Sequence, residues 1–550
     1  MIAAFRPSTL LTCLRYGGLV GSGLLAVAGG WFGDKSIANP TWVAGTVVLT
    51  AAWLVLGQRL TGVTLRWLLV TGAIWALPVL VSLPLESRDV YAYACQGSLV
   101  LNGVNPYQHG PASLPCPWLD TVPRIWRDTT SPYGPAWLAL SGAVAATGNI
   151  IVVVGVYRLV ALAGLTLVCW AGFRLARRLG ADPLRGTWFT LLAPVVLVHA
   201  VSGAHNDAVV AGLMVAALAI AVGVPAPAAP GDPAADPAAL AHPADPAVPA
   251  HPADLAHAAD RADLADPGGP GGAADPVGPA DREGARGVAD PAGAAGEPGV
   301  LGLPGWSRPV AVGVLVGLAI AVKASAMTVL PFAVLVAARQ RAWSAILRTG
   351  LAVTAGVAGT YGLGWALTGY GFGWIPAIST GTEKIIEATS VPTGLGLAAA
   401  HGFKLLGDYR LASHMVAAFR ALGLVALVGI LVGLWFWARH RGDRRSKVLA
   451  TGLALVAGVL FGPIAFPWYG LSALAVLGYG LTDDRWRYRV AVLLAPVPLL
   501  IFPSGAGIAN RYKTASSGFD GLLVLTLVLL AGRYLVVRYR NRERRVSLRR

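Results

Sequence analysis

The residues best placed to do chemistry lie in the segment 87–91, which reads Ser-Arg-Asp-Val-Tyr. This segment almost directly follows the apolar run 67–83, so it lies where a membrane-spanning helix meets water. Placing a charged side chain at the centre of a bilayer helix costs ~2.5–3.5 kcal/mol even on the lowest scale, so charges in such places mark functional sites. A carboxylate such as that of Asp89 can accept a proton from a hydroxyl as that oxygen attacks, so this segment is a candidate for acid–base chemistry.

A second polar group, His205-Asn206-Asp207, falls between two consecutive apolar runs and so occupies a tight turn at the outer membrane surface. Asn and Asp are favoured in turns and cap the first turn of a helix, which gives this triplet a purely structural explanation. Three adjacent polar side chains exceed what one cap needs. The triplet is therefore also a candidate for contact with a substrate.

Cations and aromatic residues are predicted at the same outer level. Outer positive charges go against the usual cytoplasmic bias, and an anionic lipid headgroup such as a phosphate would explain them. Aromatic residues at membrane edges usually belong to the interfacial belt, although some of these could line a substrate site. The residues concerned are Lys323, Arg511, Lys513, Trp468 and Tyr469.

Two arginines, Arg158 and Arg420, fall within apolar runs. Such a side chain can extend to the interface, pair with an acid or bind a lipid phosphate. The sequence leaves these three alternatives open. It also leaves open whether Cys95 and Cys116, which share one loop, form a disulfide, since spacing does not establish the geometry that the bond requires.

The composition predicts an all-α polytopic membrane protein. Of its 550 residues, 55% are hydrophobic and 13% are charged, whereas soluble domains carry about 25% charged residues. The net charge of +16 would suit a nucleic-acid-binding protein. The basic residues, however, form short clusters between apolar runs, which is the pattern of cytoplasmic loops. We therefore expect membrane lipids and no nucleic acid as partners.

Placing the basic clusters in the cytoplasm predicts a multi-pass protein of the plasma membrane with about 14 crossings and both termini inside. The loop 84–149 then lies outside and carries the chemistry. The stretch 90–104 is predicted to be an amphipathic helix on the outer surface, with Val90, Ala94, Leu99 and Leu101 toward lipid. Shorter apolar stretches at 135–148 and 391–406 are predicted to lie on or dip into the outer face. The predicted spans are 16–33, 41–57, 67–83, 150–173, 187–204, 207–224, 308–323, 325–338, 344–366, 413–438, 448–465, 468–481, 488–503 and 519–537.

Residues 225–305 differ from the rest of the chain. They consist mostly of Ala, Pro, Gly and Asp and hold 12 of the 27 acidic residues. Such a segment cannot bury enough apolar surface to offset its ordering entropy, so we predict a disordered cytoplasmic linker. It would separate an N-terminal membrane module, 1–224, from a C-terminal one, 306–550.

Several motifs together resemble the GT-C superfamily of glycosyltransferases, and more closely the actinobacterial α-1,6-mannosyltransferases of the MptA/MptB type, with MptB favoured. The resemblance covers nearly the whole chain except the linker. Each motif alone is weakly specific, and together they are specific. They are Ser-Arg-Asp-Val-Tyr-x-Tyr-x-x-Gln-Gly at 87–97, Asn-Pro-Tyr at 105–107, Ser-Pro-Tyr-Gly-Pro at 131–135, His-Asn-Asp at 205–207, Gly-Phe-Gly-Trp-Ile-Pro at 371–376 and Pro-Trp-Tyr at 467–469.

This resemblance implies a GT-C-like helical bundle that uses polyprenyl-phosphate-mannose as donor and a lipid-linked α-1,6-mannan of lipomannan or lipoarabinomannan as acceptor. Asp89 would deprotonate the acceptor hydroxyl, and inversion at the anomeric carbon would give an α-linkage. No cofactor is implied, and a metal is not expected because basic side chains can stabilise a departing phosphate. The substrate-binding residues would be Arg88, Tyr91, Tyr93, His205, Asn206, Asp207, Trp468 and Tyr469. Lys323, Arg511 and Lys513 are added as phosphate-binding candidates, more from the predicted topology than from any motif.

Two other functions are compatible with the sequence. A transporter or flippase of lipid-linked sugars would place ionisable groups near the bilayer midplane on broken helices. The distinctive acids here cluster at the predicted outer surface, which favours an enzyme. A related GT-C enzyme could instead transfer arabinofuranose or glucose, because the choice of sugar depends on a few hydroxyl contacts.

Overall fold

The computed structural model describes residues 9–30, 34–223, 306–338, 340–386 and 390–503. In this part of the chain the elements are α-helices, short 3-10 turns and a π-helical turn. The predicted all-α membrane fold is confirmed, while the number of about 14 crossings is not. The linker 225–305 and the last predicted span lie outside the described residues.

Helices occupy nearly all the predicted spans of the N-terminal part. The short apolar stretch after Ser-Pro-Tyr-Gly-Pro forms a helix of 11 residues, too short to cross a bilayer. The helices are α1 (Thr9–Gly30), α2 (Lys35–Gln58), α3 (Leu65–Val81), α4 (Asp89–Leu101), α5 (Arg124–Arg127), α6 (Pro135–Ala145), α7 (Ile150–Leu179), α8 (Pro183–Leu191), α9 (Pro194–Val196) and α10 (Asp207–Val222).

Helices also make up most of the described chain after the linker. A 3-10 turn, Ala324–Val329, separates the first two helices, and another, Pro467–Gly470, precedes α18. The helices are α11 (Ser307–Val322), α12 (Leu330–Ala337), α13 (Trp343–Thr368), α14 (Trp374–Lys384), α15 (Val391–Leu405), α16 (Tyr409–Arg441), α17 (Arg444–Phe461), α18 (Leu471–Gly480) and α19 (Asp484–Leu494).

Four of the described helices are long and apolar enough to cross a bilayer by themselves: α1, α2, α7 and α16. A crossing of ~30 Å of hydrocarbon takes about 20 helical residues. Helix α8 and the following segment Pro194–Ser202 would make a fifth crossing, bent by 52°. The bend has a local cause. Pro194 disfavours helical backbone at Ala193, which is extended, so α8 ends before the proline.

Helix α10 lies at the centre of the largest hydrophobic core. Its residues are apolar on every side, and 14 of them are buried, as expected for a helix that other helices surround. It packs against α7, α11 and α18, so it joins helices from before and after the linker. Asp207, its first residue, is therefore held by a helix that is enclosed by other helices.

Helix α4 is confirmed, but its predicted lipid-facing side is wrong. Val90, Ala94 and Leu99 are completely buried, whereas Leu101 is exposed. The inward face packs against α6, an element that periodicity within α4 alone could not reveal. Cys95 on α4 forms a disulfide with Cys116, which ties the following loop to this helix.

Gly97 makes the close packing of α4 on α6 possible, because a Cβ there would lie 2.0 Å from the carbonyl oxygen of Ser141. Replacing glycine by alanine inside a helix normally stabilises it by about 1 kcal/mol. We expect Gly97→Ala instead to destabilise the protein by about 1–3 kcal/mol, since the helices must separate. Thermal unfolding in detergent measures this effect. Gly23→Ala on α1, where a Cβ meets nothing within 4 Å, is the matched control and should be neutral or stabilising. Equal melting temperatures for the two variants would contradict the packing argument.

Candidate active site

Two turns of similar form present the two carboxylates of the site. Glu86 and Ala204 are the non-glycine residues with positive φ in the described chain, at 59° and 52°. Each precedes by three positions an aspartate that begins a helix, Asp89 for α4 and Asp207 for α10. Left-handed backbone at such residues costs about 1–3 kcal/mol and clusters at functional sites. The backbone strain therefore lies in the two turns that position the carboxylates of Asp89 and Asp207.

Asp207 and Lys323 form a largely buried ion pair, with 2.7 Å between Lys323 Nζ and Asp207 Oδ2. The same ammonium lies 4.4 Å from the centre of the Tyr469 ring. Breaking a buried pair by removing one partner typically costs 3–5 kcal/mol because the other charge is left uncompensated. The pair thus fixes the ammonium between α10 and the Pro-Trp-Tyr motif.

The Ser-Pro-Tyr-Gly-Pro motif positions the backbone of Lys323. Tyr133 and Lys323 form an isolated antiparallel β-bridge, and Gly134 N–H donates to Val322 O at 3.2 Å. A Cβ at Gly134 would lie 2.3 Å from the carbonyl oxygen of Ala321. Only glycine fits this approach, so the motif explains where the lysine sits.

Asp89 begins α4, and its backbone N–H donates to Ser87 Oγ at 3.2 Å. Its Oδ2 lies 3.7 Å from His205 Nδ1. Burial raises the pKa of Asp89 to about 6, although the charge of Lys323 and a hydrogen bond from Ser87 lower it, and the nearby Asp207 raises it further. At neutral pH the carboxylate is mostly ionised and is a stronger base than an ordinary aspartate, which suits proton abstraction.

A cavity of about 380 Å³ opens beside these charges. Its polar lining residues lie together, since both Tyr133 and Tyr469 contact Lys323. The rest of the lining comes mainly from α14 and from residues 458–466 and is largely apolar. We call this the apolar wall. The polar lining residues include Asp89, Gln96, Tyr133, Lys323 and Tyr469, and the apolar wall includes Ala377, Ile378, Ile385, Pro463, Ile464 and Phe466.

His205 and Asn206 do not line this cavity, and both are completely buried. The His205 ring stacks on Trp468, with 4.2 Å between ring centres and 15° between planes, and Trp468 stacks on Phe466 in turn. Burial lowers the pKa of His205 well below its usual range, so the ring is neutral. The structure therefore brings His205 and Trp468 behind Asp89, and their predicted contact with substrate stays a prediction.

A second buried acid–imidazole pair, which the sequence interpretation missed, lies close to His205. Glu86 Oε2 is 3.2 Å from His199 Nε2, and both side chains are completely enclosed. Burial raises the pKa of Glu86 well above its usual range. His199 sits on the π-helical turn Leu197–Ser202, a conformation that is frequent at functional sites. A histidine inside the apolar run 187–204 was the sequence signal for it.

The two tyrosines of α4, Tyr91 and Tyr93, pack against other side chains of the core. Tyr93 is buried in a cluster of rings, 5.1 Å from Tyr133 and 5.5 Å from Tyr157 between ring centres. Tyr91 is half-buried and packs at the edge of the core. Neither these tyrosines nor Arg88, which directly precedes α4, lines the cavity. Their predicted role in substrate binding therefore rests on the motif alone.

Other predicted features are not tested by this geometry. Arg511 and Lys513 lie outside the described residues. Within the described chain, no three His, Cys, Asp or Glu side chains are grouped to hold a metal ion. Sequence interpretation missed the contribution of α14 to the cavity, because the residues of α14 that line the cavity are Ala, Ile, Gly and Thr, which carry no chemical signal.

Two family profiles match the chain. One is described as "Alpha-(1->6)-mannopyranosyltransferase, N-terminal domain" and matches residues 15–244. The other, "MptB C-terminal domain", matches residues 392–531. No solved structure matches the chain.

Named relatives are similar over most of their length. An alpha-(1->6)-mannopyranosyltransferase of Mycobacterium tuberculosis is 32% identical, over 90% of this chain and 80% of that protein. Alpha-(1->6)-mannopyranosyltransferase A of the same organism is 30% identical, over 84% and 75%. Alpha-(1->6)-mannopyranosyltransferase B of Corynebacterium glutamicum is 25% identical, over 94% and 79%. Relatives of both types match, so the expected MptB assignment stays a prediction. The chain belongs to the MptA/MptB family of alpha-(1->6)-mannopyranosyltransferases and is a membrane-bound glycosyltransferase.

Proposed function

We propose that this enzyme transfers mannose from polyprenyl-phosphate-mannose to a growing α-1,6-mannan chain of lipomannan and lipoarabinomannan precursors. The observation that carries the proposal is the combination of a buried base and an ammonium at the polar side of a largely apolar cavity. A lipid-linked sugar phosphate has the same division into a charged head and an apolar tail. The names of the relatives favour mannose over arabinofuranose or glucose.

Lys323 is the proposed ligand of the donor phosphate. An ammonium has three N–H donors, and Asp207 accepts one of them. The remaining donors can bind the phosphate oxygens, whose negative charge grows as the sugar leaves. Tyr469 lies beside the same ammonium. Arg511 and Lys513 remain further phosphate-binding candidates on the basis of the predicted topology.

Asp89 is the proposed general base. The acceptor hydroxyl attacks the anomeric carbon of a β-linked mannosyl phosphate while its proton passes to Asp89. The bond between that carbon and the phosphate oxygen breaks, polyprenyl phosphate leaves, and inversion gives an α-linked product. A raised pKa makes Asp89 a better proton acceptor. No step needs a cofactor.

The reaction is proposed to take place on the extracytoplasmic face. Helix α4 carries both Asp89 and Cys95, and Cys95 is disulfide-bonded to Cys116. Structural disulfides are rare in reducing cytoplasm and persist in oxidising compartments. This supports an outer position for the loop 84–149, with the basic clusters and both termini in the cytoplasm.

Asp89→Asn should lower the turnover of mannosyl transfer by about 10²–10⁴-fold, because the amide cannot accept the hydroxyl proton. Purified variants are assayed with polyprenyl-phosphate-mannose and an α-1,6-linked mannoside acceptor. Asp120→Asn is the matched control, since Asp120 lies in the same loop with its carboxylate fully exposed, and its turnover should equal that of the wild type. Normal turnover in Asp89→Asn would place the base elsewhere.

The pH dependence of kcat/KM follows from the same assignment. A base must be deprotonated to act, so activity falls as pH drops through its pKa, tenfold for each pH unit below it. Burial raises the pKa of Asp89 to about 6, so the decline should begin near pH 6. An ordinary aspartate, with a pKa near 3.9, would keep full activity to about pH 5. A profile that is flat down to pH 5 would contradict the assignment.

Filling the apolar wall should weaken donor binding. Gly458 on α17 lines the cavity, and a Cβ there meets nothing within 4 Å, so a leucine would project into open space. We expect Gly458→Leu to raise the donor KM about 10- to 100-fold, which corresponds to 1–3 kcal/mol of overpacking. Gly429→Leu on α16 is the control, because Gly429 is equally open but lies outside the cavity lining. An unchanged KM in Gly458→Leu would show that the lipid binds elsewhere.

A further inference from the structure

Arg158, on α7, is a buried arginine whose hydrogen-bond partners in the described chain are all backbone carbonyls. Its guanidinium donates to Leu80 O at 2.5 Å, to Ser82 O at 2.7 Å and to Ser202 O at 3.1 and 3.2 Å. These four contacts occupy most of the five N–H donors of the fork. Arg158 therefore neither extends to water nor has a fork left for a lipid phosphate.

The three carbonyls belong to two separate segments of the chain. Leu80 and Ser82 close α3, whose chain continues through Glu86 to Asp89. Ser202 closes the π-helical turn, whose chain continues through Ala204 to Asp207. Ser202 also binds the first segment directly, because its Oγ accepts from the Leu85 N–H at 3.1 Å. One guanidinium thus joins the two segments that lead to the two carboxylates of the site.

The charge of Arg158 suits this place for a physical reason. Carbonyl groups at helix C-termini are unsatisfied and carry partial negative charge. A buried cation is tolerated when hydrogen bonds compensate its desolvation, and here the compensation comes from the ends of two helical segments. The planar fork can reach several carbonyls at once, which a lysine ammonium on a single point cannot reproduce.

We propose that Arg158 is the positioning residue of the enzyme, holding the turn before Asp89 in a fixed relation to the turn before Asp207 and its partner Lys323. This inference rests on the proposed roles of Asp89 and Lys323. Arg158 does not touch the cavity, so it acts through the two turns. Displacing a reacting group by about 1 Å can cost 10²-fold in rate even when the cause is remote.

Arg158→Met should lower kcat about 100-fold while the donor KM stays within about threefold, since the apolar wall comes from other helices. Arg158→Lys keeps the charge without the planar fork, and its kcat should lie between that of Arg158→Met and that of the wild type. The matched control is Arg178→Met. Arg178 lies on the same helix and donates to a backbone carbonyl, that of Ala219, but is about 30 Å along the helix from Arg158. The kcat of this control should match that of the wild type.

A double-mutant cycle separates positioning from general instability. In an Asp89→Asn background, adding Arg158→Met should lower kcat by a much smaller factor than it does in the wild type. The position of residue 89 no longer matters once its side chain cannot act as a base. Normal kcat in Arg158→Met alongside an inactive Asp89→Asn would overturn this inference and leave the proposed function standing. An active Asp89→Asn would overturn the proposed function itself. Failure of both Arg158 variants to fold, while Arg178→Met folds, would show a purely structural contact and also overturn the inference.

Discussion

The site depends on one ammonium, that of Lys323, which interacts with two buried carboxylates, those of Asp207 and Asp89. Lys323 holds a short hydrogen bond with Asp207 and so gives Asp89 only the longer-range attraction of its charge. Burial then outweighs that attraction and raises the pKa of Asp89 to about 6. If the lysine paired with Asp89 instead, the carboxylate would be a weaker base. Because Lys323 pairs with Asp207, Asp89 is left as the stronger base of the two, which is why we propose Asp89 as the general base.

The helices around the pair make this division possible. The enclosed helix α10 fixes Asp207, the bridge between Tyr133 and Lys323 fixes the ammonium, and α4 carries Asp89 to the edge of the cavity. Removing water from around these groups strengthens every electrostatic interaction among them. The apolar wall next to them makes the other side of the cavity nonpolar. A reaction between a lipid phosphate and a hydroxyl needs a charged region and an apolar region side by side.

Much of this arrangement could be predicted because charges are scarce in an apolar chain. That scarcity singled out Asp89, Asp207 and Lys323: the structure places Asp89 and Lys323 in the lining of one cavity, and Asp207 pairs with Lys323. Apolar runs likewise predicted where helices form, since helix formation in such sequences depends on local patterns. The motif glycines Gly97 and Gly134 were visible in the sequence, but the backbone each approaches lies on a distant element.

What the sequence could not supply is the direction of side chains between segments. His205 was predicted at an outer turn, yet it turns inward because Trp468, far along the chain, offers a ring to stack on. Val90 faces the core rather than lipid because α4 packs against α6 and other core elements. The alternatives for Arg158 could be resolved only when α3 and the π-helical turn were seen to meet. In each case the deciding partner is remote in sequence.

The proposed reaction is tested most directly by identifying the donor of the transferred mannose. Purified protein is incubated with an α-1,6-dimannoside and either radiolabelled polyprenyl-phosphate-mannose or radiolabelled GDP-mannose, and the extended glycan is isolated and its new linkage determined. We predict that label is transferred from the lipid-linked donor alone, into an α-1,6 linkage. Transfer from GDP-mannose in the absence of any polyprenyl phosphate, or a product in which the donor configuration is retained, would contradict the proposed reaction.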